Sequence, residues 1–392
     1  MAATKHARPA GPAAPTKPAA PAKPAAPTKP AAPTKPAAPA SAADWLRTEA
    51  DRLIQRGLKG LTYLGSAAPP IGETPRTLLH RRGTLGLYHY EPSAPEIYRV
   101  PILFVMATSN LASIFDLAKG QSLIEFLLGR GYDLYVIDWN APTRDERHLR
   151  LEDYTLDFIP DAIRRVQQHS GETEVTLVGY CMGGVLSTIY AALNPDGPLK
   201  NLVLFTTPTD WRKTALAMSM TGTDKPPFDV DRLVNTLGLI PPELIIRAMD
   251  MHRPLAEMTS RIRLWDNMWN DAYVKGYRQM ARWGADTLPM AGEFFRQIVK
   301  ELIWKNGLAE GTLRVGGRPV LLKNITVPLL HVIAQYDHLV PPDCAQPLAA
   351  GVSSRDKQEL ILPGGHVSLV AGPNAVKRMW PALDQWLESR SV

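Results

Sequence analysis

Val175-Thr176-Leu177-Val178-Gly179-Tyr180-Cys181-Met182-Gly183-Gly184 joins a short run of β-branched and aliphatic residues to an apolar stretch of helical length, Gly184 to Leu193. A brief apolar run closed by glycine reads as a strand buried on both faces. The turn that follows has to be tight, because the strand ends and the helix begins within a few residues. Such a turn strains its central residue and tolerates only small neighbours, so glycine is required two positions before and two after the centre. Gly179 and Gly183 stand there, with Cys181 between them. A helix N-terminus favours negative charge, and the thiolate is the form of a thiol that attacks. The plain alternative is a buried cysteine in a glycine-rich turn, and it makes no demand on the residues downstream. A nucleophile does.

A nucleophile on an elbow of this kind needs an acid and then a histidine later in the chain, each on a loop at the end of a following strand. The run Leu329 to Ala334 ends in Gln335-Tyr336-Asp337-His338, and the run Leu360 to Leu362 ends in Pro363-Gly364-Gly365-His366. Asp337 is therefore the candidate acid and His366 the candidate base. Asp343 and His338 compete for these roles; Asp337 is preferred because it follows its strand most closely, and Asp343 is expected to cap the next helix. The oxyanion formed by attack on a carbonyl needs two backbone amides. One is expected from Met182 and the other near Ser109, in the loop Ala107-Thr108-Ser109-Asn110, with the Asn110 side chain bracing that loop or serving merely as a turn residue. Cys344, after Pro341-Pro342-Asp343, reads as a packing residue.

Further apolar runs repeat the pattern: Pro101 to Ala107, Tyr132 to Trp139, Leu202 to Thr206 and Val327 to Ala334, with Glu359 to Leu362 completing the set. Helical patterns alternate with them at Ser122 to Leu128, Pro160 to Gln168, Gly184 to Leu193 and Asn374 to Leu387. This alternation predicts an α/β protein with a mostly parallel, doubly wound sheet covered by helices, and the elbow with its acid and histidine in that order resembles the α/β-hydrolase fold. Between Trp211 and about Asn324 the alternation stops, and helical periodicity rich in Met and Trp predicts a cap inserted above the sheet. Many of its apolar residues would form the cap's own core, and the rest suit an apolar substrate. The expected divisions are an arm at 1–43, the first part of the core at 44–210, the cap at 211–324 and the rest of the core at 325–392.

The arm is distinct in composition. From Pro9 to Pro39 a proline recurs at every third position, and Lys17, Lys23, Lys29 and Lys35 are six apart. Such a segment has too little apolar bulk to fold and is expected to be an extended polyproline II spacer, or a tether to an anionic partner. It also accounts for the net charge of +6: with its six basic residues set aside, 38 basic residues face 38 acidic ones. A specific nucleic-acid site is thus not expected. Trp45, Leu46, Leu53, Ile54 and Leu58 predict an amphipathic helix that could dock on the core. Two cysteines in unrelated contexts suggest neither a disulfide framework nor a metal site, and no apolar run reaches the length of a membrane span. A cytoplasmic protein without transmembrane segment is the expectation.

Taken together, Gly179-Tyr180-Cys181-Met182-Gly183-Gly184 and Asp337-His338-Leu339-Val340-Pro341 resemble the polyhydroxyalkanoate synthases, whose motifs are G-x-C-x-G-G and D-H-x-V-P. The resemblance runs from about Val100 to the C-terminus. Through Ala291-Gly292-Glu293, Phe295-Arg296-Gln297, Val315-Gly316-Gly317-Arg318 and Asn324-Ile325-Thr326 it is in particular to the short synthases that work with an accessory subunit. Leu111-Ala112 stand where the family has a basic pair, and Ser368 where it more often has glycine. The resemblance implies a substrate, (R)-3-hydroxyacyl-CoA, polymerised through an acyl-enzyme, and no cofactor beyond the CoA of that substrate. It also implies an accessory synthase subunit, attachment to the surface of a polyester granule, and the option of a homodimer. Two rivals remain: a depolymerase or thioesterase on the same scaffold, in which water resolves the acyl-enzyme, and a granule-associated tethering protein with no catalysis.

Overall fold

The computed structural model describes residues 41–214, 228–250 and 256–392. The proline-rich arm, apart from its last residues, and two stretches of the cap therefore lie outside the described residues. The chain forms two compact units, Met1–Ile54 and Gln55–Val392. The described part of the first, residues 41–54, belongs to a helix, Ala42–Gly65, that begins after Ser41. The apolar side chains that suggested a docked helix are exposed along its length, with Trp45 at 52% and Leu53 at 61%. The helix expected over these residues is present.

The second unit is built on a sheet of eight strands: β1 (Thr77–Arg82), β2 (Leu85–Tyr90), β3 (Ile102–Val105), β4 (Leu134–Trp139), β5 (Val175–Tyr180), β6 (Leu199–Phe205), β11 (Leu329–Ala334) and β12 (Lys357–Leu362). Their order is β1-β2-β4-β3-β5-β6-β11-β12. From β4 to β12 neighbours run parallel, with Val105 opposite Gly179 and Tyr180 opposite Phe205. Every residue of β3, β4, β5 and β11 is buried. That is why these runs read as continuously apolar: helices cover both faces, so neither face needs polar residues.

The first two strands form an antiparallel hairpin on β4 that the apolar pattern did not suggest. β1 is an edge strand ending in His80, Arg81 and Arg82, and charged residues on an edge discourage pairing with other chains. The hairpin turns at Gly83, whose φ of 54° lies in the left-handed region where glycine is favoured. Outside the sheet, β7 (Leu239–Ile240) pairs with β8 (Met290–Ala291), and β9 (Arg314–Val315) with β10 (Arg318–Pro319).

These short pairs lie in the insertion between β6 and β11. It carries the helices Val230–Leu237, Pro242–Asp250, Ala256–Asp266, Asp271–Ala285 and Gly292–Gln297. Leu264, Met268 and Trp283 are buried within it, whereas Trp265, Trp269 and Tyr273 are exposed. Of these, Trp283 packs into the main core around the sheet. Among the described residues no helix is long and apolar enough to cross a membrane.

Candidate active site

Parallel strands send all their C-terminal ends to one edge of the sheet, and ligands of open α/β sheets bind there. The loops after β3, β5, β11 and β12 meet at that edge. The elbow after β5 has the strain its sequence requires: Cys181 has φ 54° and ψ −119°, in the left-handed half of backbone space that a side chain rarely occupies. Its glycines are needed for close approach. A methyl at Gly179 would run into the backbone of Gly184, one at Gly183 into the Val105 carbonyl, and one at Gly184 into the Thr207 side chain. Cys181 sits directly before the helix Met182–Leu193 and is partly buried.

His366 and Asp337 come together on the neighbouring loops. The His366 Nδ1 lies 2.6 Å from Asp337 Oδ2, and both side chains are almost wholly buried. The other carboxylate oxygen, Oδ1, accepts from the Leu339 and Val340 amides, each at 2.9 Å, so the carboxylate cannot turn away from the imidazole. Cys181 lies close enough to His366 to act on its charge. Burial lowers the His366 pKa, but the Cys181 charge, the Asp337 hydrogen bond and the Asp337 charge outweigh burial and raise it above the ordinary imidazole value. The site therefore favours the protonated imidazole. The same favoured charge adds stability that is complete below the free imidazole pKa and fades as the pH climbs through the raised one. Removing the Cys181 charge should lower the His366 pKa. In Cys181→Ser the imidazole resonances, followed by NMR against pH, are expected to titrate at lower pH than in the unmodified chain.

The competing residues lie elsewhere. Asp343 has a largely exposed side chain and stands 3.7 Å from Lys213 Nζ. It is not the helix cap expected of it: Pro341 occupies the cap position of the helix Pro342–Ala345, and Asp343 lies inside the first turn. His338 is partly buried, and the imidazole paired with Asp337 is that of His366. Cys344 is fully buried, and burial pushes its thiol up to about 12. Its carbonyl accepts from the Thr209 and Asp210 amides, both at 2.9 Å, which is a structural role. Alkylation by iodoacetamide at pH 8 is expected to modify Cys181 and to leave Cys344 unlabelled, as peptide mass spectrometry would read. Cys344→Ala should keep most of the activity.

The Met182 amide is the first of its helix and the Ser109 amide lies in the loop after β3, and among the described residues neither is bonded to a backbone acceptor. Both are thus available to an oxyanion. Ser109 Oγ lies 3.2 Å from Asn110 Oδ1, so the Asn110 side chain does brace the loop. The loop is also held by residues that sequence reading missed. Ala112 N donates to Asp138 Oδ1 at 2.9 Å, and Trp139 Nε1 to the Met106 carbonyl at 2.8 Å. From the cap, Trp283 Nε1 donates to the Leu111 carbonyl at 2.9 Å and Leu288 N to the Ser109 carbonyl at 2.8 Å. A buried polar group that loses such a partner costs about 1–3 kcal/mol. The one signal for these anchors was Asp138, a carboxylate in an otherwise apolar strand. Tyr180 was also missed: its ring centroid lies 5.4 Å from that of His366, and its hydroxyl donates to the His366 carbonyl at 3.3 Å. Burial, with the Cys181 and Asp337 charges, keeps that hydroxyl protonated. Among the described residues no cluster of three or more His, Cys, Asp or Glu could hold a metal.

Comparison with known proteins agrees with this geometry. The family described as alpha/beta hydrolase fold matches residues 116–373. Among solved structures, the monoglyceride lipase of Saccharomyces cerevisiae superimposes with a TM-score of 0.55 over 83% of this chain and 100% of its own, at 15% identity. At that identity the likeness shows the fold alone. The poly(3-hydroxyalkanoate) polymerase subunit PhaC of Allochromatium vinosum is 34% identical over 342 residues, 86% of this chain and 95% of its own. Its counterpart in Synechocystis is 32% identical, over 85% of this chain and 89% of its own. That of Haloferax mediterranei is 32% identical over 82% of this chain, which spans only 65% of the longer haloarchaeal protein. With the elbow, the His366–Asp337 pair and two of these relatives matched over most of their own length, the chain belongs to the PhaC family of poly(3-hydroxyalkanoate) polymerase subunits, within the α/β-hydrolase fold.

Proposed function

We propose that this chain polymerises (R)-3-hydroxyacyl-CoA into polyester, releasing CoA, through an acyl-enzyme on Cys181. The observation that carries the reading is a thiol on a strained elbow, within electrostatic reach of an imidazole that a buried carboxylate fixes. The relatives named as polymerase subunits supply the substrate class. In the first step the Cys181 sulfur attacks the thioester carbonyl, and the amides of Met182 and Ser109 receive the oxyanion. His366 gives its proton to the departing CoA thiolate. One thioester replaces another, so little free energy is lost; a serine would hold the acyl group as a less reactive ester.

Acylation also resets the base. Once the sulfur is acylated, the negative charge that helped hold the proton on His366 is gone, and the imidazole is neutral as CoA leaves. It then takes the proton of an incoming 3-hydroxyl, whose oxygen attacks the acyl group and forms the ester bond, freeing Cys181. Water has to be kept out during this step, and the cap is the element placed to do so. No cofactor takes part beyond the CoA of the substrate. Resemblance to the short two-subunit synthases extends the reading to an accessory subunit, a polyester granule surface in the cytoplasm, and a possible homodimer.

Incubating the purified chain with 3-hydroxybutyryl-CoA, alone and with an accessory subunit, tests the proposal. Release of CoA with insoluble polyester is the expected result. CoA release matched by free 3-hydroxybutyrate, without polymer, would make the protein a thioesterase.

A further inference from the structure

The loop that offers the Ser109 amide has two of its peptide planes pinned at both edges, each by one bond from the cap, and at the other edge by the core in one case and by the loop itself in the other. In the Leu111–Ala112 peptide, the carbonyl accepts from Trp283 Nε1 at 2.9 Å and the amide donates to Asp138 Oδ1 at 2.9 Å. In the Ser109–Asn110 peptide, the carbonyl accepts from Leu288 N at 2.8 Å and the amide donates to the Ala107 carbonyl at 3.3 Å. Trp283 ends the cap helix Asp271–Ala285 and is buried, and Leu288 follows that helix by three residues. The same helix reaches the segment before β1 as well: Gln279 Nε2 donates to the Pro70 carbonyl at 3.1 Å, and Thr74 in turn holds the Asp116 carboxylate just past the loop.

We propose that Trp283 is a positioning residue for the oxyanion donor, so that docking of this cap helix sets the Ser109 amide in place and couples cap closure to acylation. The inference rests on the reading of Ser109 as an oxyanion donor. The cap then does more than exclude water. When its helix lifts, the Leu111 and Ser109 carbonyls lose their partners together and the loop loses the geometry that aims the Ser109 amide. An open cap leaves Cys181 and His366 intact but deprives the tetrahedral intermediate of one of its two amides. An acyl-enzyme accordingly forms only beneath a closed cap, where water is already excluded.

The test separates reactions that pass through an oxyanion from those that do not. Trp283→Phe keeps an aromatic ring and removes the Nε1 donor; Trp265→Phe makes the same change at an exposed tryptophan of the cap and serves as the control. Each is treated with p-nitrophenyl butyrate, which acylates Cys181 through an oxyanion, and with iodoacetamide, which alkylates the sulfur without one. Loss of a single oxyanion donor slows acylation by about 10²–10³-fold, so a fall of about ten-fold or more is expected in Trp283→Phe. Its alkylation rate should be unchanged, and Trp265→Phe should retain most of both rates. Equal falls in acylation and alkylation would mean that Trp283 merely supports the fold, and unchanged acylation would mean that it does not position the loop; either overturns the proposal. The ester probe does not depend on the natural substrate. Failure of the polymerase reading would instead appear as absence of polymer from the unmodified chain.

Discussion

Replacing Cys181 with alanine is expected to lower polymer formation by at least about ten-thousand-fold, the order of loss that follows removal of a catalytic nucleophile. Cys344 is fully buried with its thiol pushed up to about 12, and the residues flanking Cys181 are Tyr180 and Met182. The backbone should survive, since alanine is smaller than cysteine and the crowding around Gly179, Gly183 and Gly184 is unaffected. Cys181→Ser is expected to leave a trace of activity at most. A hydroxyl is far less readily ionised than a thiol, and the ester it would form is a poorer acyl donor. Polymer yield and CoA release, measured on variants with unchanged thermal unfolding, check this; near-normal yield from Cys181→Ala would sink the mechanism.

His366 and Asp337 should fail at different steps. His366→Ala removes the group that takes the thiol proton and the group that protonates the leaving CoA, so neither acyl-enzyme nor polymer is expected. Asp337→Asn is subtler. The Leu339 and Val340 amides hold Oδ1, so an asparagine oxygen stays with them and its NH2 group turns toward His366 Nδ1. The imidazole is then driven to carry its proton on Nε2, where it can donate but not accept. A similar change of tautomer in a serine triad costs about 10⁴ in rate. A thiol, ordinarily titrating near pH 8.5, can still lose its proton to solvent, whereas a substrate hydroxyl cannot. Asp337→Asn is therefore expected to acylate slowly, release some CoA and stall as a short-chain acyl-enzyme visible by intact-protein mass spectrometry. Normal elongation in Asp337→Asn, with a stall in Asp343→Asn, would move the acid to Asp343.

The central sheet was legible because β3, β4, β5 and β11 are buried on both faces, which leaves apolar runs that no surface element imitates. The hairpin β1–β2 was not, because its edge strand carries His80, Arg81 and Arg82, as a loop would. The elbow could be read because tight backbone approach leaves glycine as the only choice at fixed spacing. The histidine and acid could be read from their places after later strands. Other features depend on tertiary contacts with no local trace. Trp283 meets the Leu111 carbonyl across 172 residues of chain, and an indole in a cap helix gives no sign of such a partner. The helix Ala42–Gly65 shows the converse: its periodicity was correct, yet periodicity gives an apolar face and not what covers it.

The central claim is that an acyl group passes through Cys181 to a growing polyester. Rapid quenching of the chain with 3-hydroxybutyryl-CoA, followed by intact and peptide mass spectrometry, tests it most directly. The account predicts a series of adducts on Cys181, each one hydroxybutyryl unit heavier than the last, with CoA released in step. Free 3-hydroxybutyrate accumulating while Cys181 stays unmodified, or adducts on any other residue, would contradict it.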